Sequence, residues 1–295
     1  MSDRKDDQGP AELTPIERAA LALGRFTNER DVPKRLQTAF LRSVSYAWVR
    51  PALSRRVLAD GLRELYDLRP ERGVLLVSNH RSFFDQYILL LANWMSPITW
   101  AQRLYFPVRS NFFYDNPAGM LVNYAVGGGV MYPPIYRHKE RRELNDDALD
   151  RAIEFLQHPG SLVGIHPEGT RGKGPDPYQL LPAQPGVGKV ALLAQPTVIP
   201  AFINGLGNDV LADVRRTYSK DSRRTHPVII AMGQPLDLSE FAGQKPRPTL
   251  YKKAADRFMA AIAALGARER ELRAACAAGE ISDDDPRWAD NLRRP

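Results

Sequence analysis

The chain has 295 residues, 43 % of them hydrophobic and 25 % charged, which suffices for a sizeable core in one or two domains. Lys and Arg total 41 against 34 Asp and Glu, a net charge of +7, and with four tryptophans this composition excludes a chain disordered throughout. The lone cysteine, Cys276, excludes an intramolecular disulfide framework and any multi-cysteine zinc site.

Residues 1–10 are polar and mixed in charge, unlike a signal peptide, and residues 1–13 are expected to be disordered. Thr14, Pro15 and Glu17 then form a capping box with proline at the first helical position. Residues 14–58 read as a basic amphipathic helical region. Within it, Leu36, Phe40, Val44 and Ala47 or Trp48 recur at three or four residues and predict a helix over 36–49. Arginines crowd this region, among them Arg18, Arg25, Arg30, Arg35, Arg42 and Arg50, and between residues 18 and 56 only Glu29 and Asp31 oppose them. Two readings stay open. The stripe packs on the domain, or it lies on an anionic lipid surface with Trp48, Tyr46 and Phe40 at headgroup depth. No nucleic-acid module is recognisable, so nucleic acid is not an expected partner.

Beyond residue 59 short apolar runs alternate with helical stretches. Residues 73–78, 97–101, 126–132, 161–165, 197–203 and 227–232 predict strands, several of them continuous enough to be buried on both faces. Residues 145–157, capped by Asn145, and 187–194 predict helices. The pattern is that of an α/β domain over 59–240. Residues 241–278 form a C-terminal helical region and 279–295 a polar tail. No segment reaches the roughly 18 apolar residues of a membrane span. The apolar stretch at 87–94 is soon stopped by Ser96 and Pro97.

The run 74–85 reads VLLVSNHRSFFD, placing His80 just past the end of a strand. That edge of an open α/β sheet is where ligands bind. Residues five apart lie about 140° apart on a straight helix. A turn between His80 and a helix carrying Asp85 could still bring them together, so that Asp85 holds one ring nitrogen and the other accepts a proton. A purely structural role fits this stretch equally well, because Ser82-x-x-Asp85 is also a capping pattern.

A second strand, 161–165, also ends in a polar turn, HPEGTRGKG. Glu168, Gly169, Thr170 and Arg171 supply a carboxylate, a flexible backbone, a hydroxyl and a guanidinium within four positions. Such a turn can hold a phosphate through Arg171 and backbone N–H groups while Glu168 accepts from a hydroxyl.

NHRSFFD at 79–85, an arginine closing a Gly-rich stretch at Arg137, HPEGTRG at 166–172 and TVIP at 197–200 together resemble the ordered blocks of the glycerolipid acyltransferases. The likeness spans residues 60–235. It implies a glycerolphosphate acyltransferase-like fold: a mixed, mostly parallel central sheet flanked by helices, with an N-terminal helical extension. It also implies transfer of a fatty acyl group from a thioester, on acyl-CoA or acyl carrier protein, to a glycerolipid hydroxyl such as that of 1-acylglycerol 3-phosphate. His80 would be the general base, oriented by Asp85. Glu168 and Gly169 would lie in the acceptor site beside Thr170 and Arg171, and Arg137 would pair with the acceptor phosphate. Val198, Ile199 and Pro200 would line the acyl or acceptor channel. Neither a cofactor, a metal nor an acyl-enzyme is expected, and no G-x-S-x-G elbow is present. The expected setting is cytoplasmic and peripheral to a membrane.

Three departures from the family pattern stand out. His166 precedes Pro167 where an aromatic such as Phe is usual, Gly172 stands where Ser is common, and Pro133-Pro134 interrupts the stretch before Arg137. Arg141 or Arg142 is the alternative phosphate ligand. A metal hydrolase built on His80, Asp85, His166 and Glu168 lacks HExxH and the Pro-Cys-x-x-Cys of zinc deaminases. The alternatives that remain are a non-catalytic lipid-binding protein of the same shape and an acyl-thioester hydrolase.

Overall fold

The computed structural model describes residues 13–136 and 141–292, with Val126 and Arg142 described by backbone alone. The segment expected to be disordered therefore lies almost wholly outside the described residues, as does Arg137.

Thr14 and Glu17 close the predicted capping box, Thr14 N donating to Glu17 Oε2 at 2.7 Å and Glu17 N to Thr14 Oγ1 at 3.2 Å. They start α1 (Pro15–Glu29), which is followed by α2 (Asp31–Phe40), a π-helical turn (Leu41–Ser45) and α3 (Tyr46–Leu53). The helix predicted over 36–49 is thus two helices joined by a π turn. Its apolar stripe faces outward: Leu36 is 67 % and Val44 50 % exposed, while Leu41, Ser45 and Val49, one helical face apart, are buried.

Strands β1 (Val57–Asp60) and β2 (Val74–Ser78) lead to α4 (Asp85–Met95), β3 (Arg103–Tyr105), β4 (Val108–Arg109), α5 (Ser110–Phe113), α6 (Pro117–Gly127) and β5 (Pro134–Ile135). Then come α7 (Arg142–Leu156), β6 (Ser161–Ile165), α8 (Pro185–Ala194), β7 (Thr197–Asn204), α9 (Val210–Thr217), α10 (Ser222–Thr225), β8 (Val228–Met232) and α11 (Pro248–Ala278). Six strands form one sheet in the order β1-β8-β7-β2-β6-β3, with β4 and β5 paired apart. All its pairings are parallel except β7–β8. The mixed, mostly parallel sheet flanked by helices is the expected fold class. Every residue of β2 and β8 is buried, because helices cover both faces.

The apolar stretch at 87–94 is the buried body of α4 rather than a membrane segment. Among the described residues no helix is long and apolar enough to cross a membrane.

Several predicted elements differ. Residues 97–101 are not a strand; Trp100 Nε1 donates to Leu65 O at 2.8 Å, and sheet pairing begins only at Arg103. Residues 126–132 are not a strand either. Asn116 caps α6 by accepting from Ala118 N, and Gly128 and Gly129 follow the helix at φ +57° and +81°, a conformation that cannot continue a ladder. Asn145 does not cap α7. Its side chain holds Tyr136 N and O, both at 2.6 Å, and the helix begins earlier. The segment read as a polar tail folds back, burying Trp288 against Leu58 of β1.

Candidate active site

Strand β2 delivers His80 to its carboxyl edge between β6 and β7. Asn79, fully buried, extends the pairing one residue further: its Nδ2 donates to Ile203 O at 2.9 Å and its Oδ1 accepts from Ile203 N at 2.7 Å. The chain then turns into α4. Asp85, in the first turn, accepts the backbone N–H groups of Arg81 (2.8 Å) and Ser82 (2.9 Å) on Oδ2. His80 Nδ1 stands 3.0 Å from the same oxygen. Asp85 thus both caps the turn and holds the imidazole. His80 Nε2 makes no hydrogen bond among the described residues.

The second block clamps the first. Glu168 Oε1 accepts from His80 N at 2.9 Å and Glu168 Oε2 from Leu181 N at 2.8 Å, while Gly172 N donates to His80 O at 2.8 Å. Glu168 is buried, so its carboxylate serves the main chain of His80 rather than standing open for a substrate hydroxyl. Gly169 turns the loop at φ +63°. An added Cβ at Gly172 would lie 2.8 Å from Arg81 Nη1, the far end of a side chain that can shift, so nothing in the structure explains glycine where serine is common. The Thr170 hydroxyl makes no hydrogen bond among the described residues.

Arg171 lies 3.5 Å over the Phe83 ring and donates through Nη1 to Asn208 Oδ1 at 2.8 Å. Arg109 of β4, which no sequence pattern marks, donates to Gly169 O at 2.7 Å. Both guanidiniums act on His80, whose pKa falls to about 3, first through burial and then through the charges of Arg171 and Arg109. Burial raises Asp85 to about 6, opposed by His166 and by the N–H groups of Ser82 and Arg81. His166 stacks on His80, ring centroids 4.0 Å apart and planes 5° apart.

The other predicted site residues lie elsewhere. Val198 and Ile199, the second and third residues of β7, are buried within the main core. Their register partners are Leu75 and Leu76 of β2, well below His80, and Pro200 pairs Val77. Val198 and Ile199 are core residues. Arg141 is buried and bonds Glu17, Nη1 to Oε1 at 2.6 Å, which removes it as a phosphate ligand. A polar cleft of about 810 Å³ lined by Arg55, Tyr218, Arg223 and Cys276 does not border His80. Among the described residues no group of three or more His, Cys, Asp or Glu is placed to hold a metal ion.

A buried carboxylate beside an imidazole with one nitrogen unengaged, at the carboxyl edge of a mixed α/β sheet, is an arrangement that can take up a proton. A family model described as Acyltransferase matches residues 35–204. The chain belongs to the acyltransferase family. No curated protein gives a match. Among solved structures the chain is similar to the 1-acyl-sn-glycerophosphate (LPA) acyltransferase PlsC from Thermotoga maritima, at 18 % identity over 85 % of this chain and 88 % of that one, with a TM-score of 0.46.

Proposed function

We propose that this acyltransferase moves a fatty acyl group from a thioester, on acyl-CoA or acyl carrier protein, to the free hydroxyl of a lysolipid such as 1-acylglycerol 3-phosphate. The observation that carries the reading is the 3.0 Å approach of His80 Nδ1 to Asp85 Oδ2, which leaves Nε2 turned to other work. Asp85 fixes the tautomer with hydrogen on Nδ1. Nε2 takes the proton of the acceptor hydroxyl as its oxygen attacks the thioester carbonyl. The tetrahedral intermediate then expels the thiolate, which recovers that proton from the imidazolium. Asp85 stays a carboxylate throughout and stabilises the imidazolium.

Arg171 and Arg109 support an anionic acceptor, because theirs are the two arginine charges that reach His80. Glu168 supports the reaction by holding the His80 main chain.

A membrane surface supplies such an acceptor. Leu36, Val44 and Trp48 (38 % exposed) stand out from the arginine-rich helices α2 and α3 and the π turn between them. Sedimentation with vesicles tests this part: binding should favour anionic lipid and weaken with salt, whereas equal binding to neutral vesicles at any salt contradicts it.

Thiol release from acyl-CoA and from acyl carrier protein, with and without lysolipid, tests the reaction, the product being weighed by mass spectrometry. Release that requires the lysolipid and yields the diacyl product supports transfer. Acceptor-independent release indicates a hydrolase. No release despite vesicle binding indicates a lipid-binding protein.

A further inference from the structure

His80 is held at its main chain by Glu168 and Gly172 and at Nδ1 by Asp85. One hydrogen bond to a ring leaves that ring able to tilt about the bond. The stacked ring of His166 opposes the tilt, parallel to within 5° at 4.0 Å. His166 is itself fixed. Its Nδ1 lies 3.1 Å from both Ser78 O and Ser78 Oγ, and its carbonyl accepts from Gly169 N at 2.9 Å in the turn. A backbone carbonyl can only accept, so Nδ1 carries the hydrogen and Nε2 has none.

That Nε2 is buried with no hydrogen-bond partner among the described residues. It relays no proton, and burying it unpaired costs stability. What His166 offers His80 is a flat, immobile face.

We propose that His166 is a positioning residue whose ring face holds the His80 imidazole at the tilt that directs Nε2 to the acceptor hydroxyl, and keeps water from the His80–Asp85 pair. The role rests on the acyl-transfer reading, but the ring geometry behind it does not.

The groups facing His80 are Asp85 of α4, Arg109 of β4, and His166, Glu168 and Arg171 of the segment after β6. Truncating His166 alters only one of them. The proposal predicts that His166→Ala lowers kcat about 10- to 100-fold with little change in KM for the lysolipid, since His166 does not hold the acceptor. It also predicts that the His80 pKa climbs from about 3 toward 6.5 as water enters. His166→Phe keeps a flat face without nitrogen and should restore most of kcat and the low His80 pKa.

Kinetics together with NMR titration of the His80 ring in the full-length protein decide it. Unchanged kcat and His80 titration in His166→Ala would overturn the proposal, as would a folded His166→Phe as impaired as the alanine variant. Should His166→Ala fail to fold, His166→Phe alone decides: kcat and a His80 titration near wild type support the proposal, and a loss of about 10-fold or more in kcat overturns it. If the wild-type protein transfers no acyl group the functional reading fails instead, and the NMR arm still judges the positioning.

Discussion

Glu168 Oε1 accepts the backbone N–H of His80 at 2.9 Å, so a carboxylate from the loop after β6 fixes the main chain at the end of β2. Its other oxygen ties down Leu181. Removing the carboxylate leaves two buried N–H groups unpaired, at a cost of about 1–3 kcal/mol each. Glu168→Ala should therefore lower the urea midpoint and the transfer rate together, and Glu168→Gln, which keeps one acceptor, should lower both less. An alanine variant as stable as wild type would assign the two N–H groups other partners.

The working form of the pair is charged Asp85 with neutral His80. Burial brings Asp85 to about 6. A proton gained there lets the carboxyl donate to Nδ1, which moves the imidazole hydrogen to Nε2 and abolishes the base. The transfer rate should fall as pH drops through about 6, measured as initial rates between about pH 5 and 8. Asp85→Asn should lose about 100-fold or more. Activity that stays flat well below that point would show that Asp85 does not govern the pair.

Stability should also fail in acid. Burial, and for His166 the His80 charge, lower both histidines to about 3. The unfolded chain binds these protons from about 6.5 downward while the folded chain does not, so stability is lost as pH falls through that window. Asp85, raised from 3.8 to about 6, acts in the opposite sense and offsets part of the loss. At about pH 5 each histidine contributes a deficit of about 1–2 kcal/mol. His166→Phe should narrow the gap between urea midpoints at neutral and acid pH, and an unchanged gap would argue against a buried neutral His166.

Arg56, fully buried, donates to Asp213 Oδ1 at 2.7 Å, His226 O at 2.8 Å and Gly205 O at 3.2 Å. It thereby fastens the segment after β7, whose Asn208 also receives Arg171. Asp213→Asn leaves the guanidinium without its countercharge and should cost about 3–5 kcal/mol, read as a lower Tm. A Tm within experimental error of wild type would contradict this account of the segment.

Much of this was legible in the sequence because it is local. The apolar runs at 73–78, 161–165, 197–203 and 227–232 contain β2, β6, most of β7 and β8, since a strand buried on both faces must be apolar throughout. The polar residues that end the first two runs meet at one edge of the sheet. What stayed hidden depends on distant partners. Nothing around Arg109 announces that β4 brings it to Gly169, and Asn79 is informative only once Ile203 lies beside it. Glu168 reads as a substrate ligand until His80 N is seen to occupy it. The apolar character of TVIP suits a channel or a core equally, and only the folded structure places Val198 and Ile199 in the core. The stripe through Leu36 and Val44 leaves packing and exposure equally open, because periodicity reveals a face but not which way it looks.

In the proposed reaction the His80 imidazole removes the acceptor proton. Thiol release by His80→Ala, measured with an acyl thioester and a lysolipid on protein whose circular dichroism and Tm match wild type, tests it most directly. A loss of about 100- to 10,000-fold is expected. A rate close to that of the wild-type protein would contradict it.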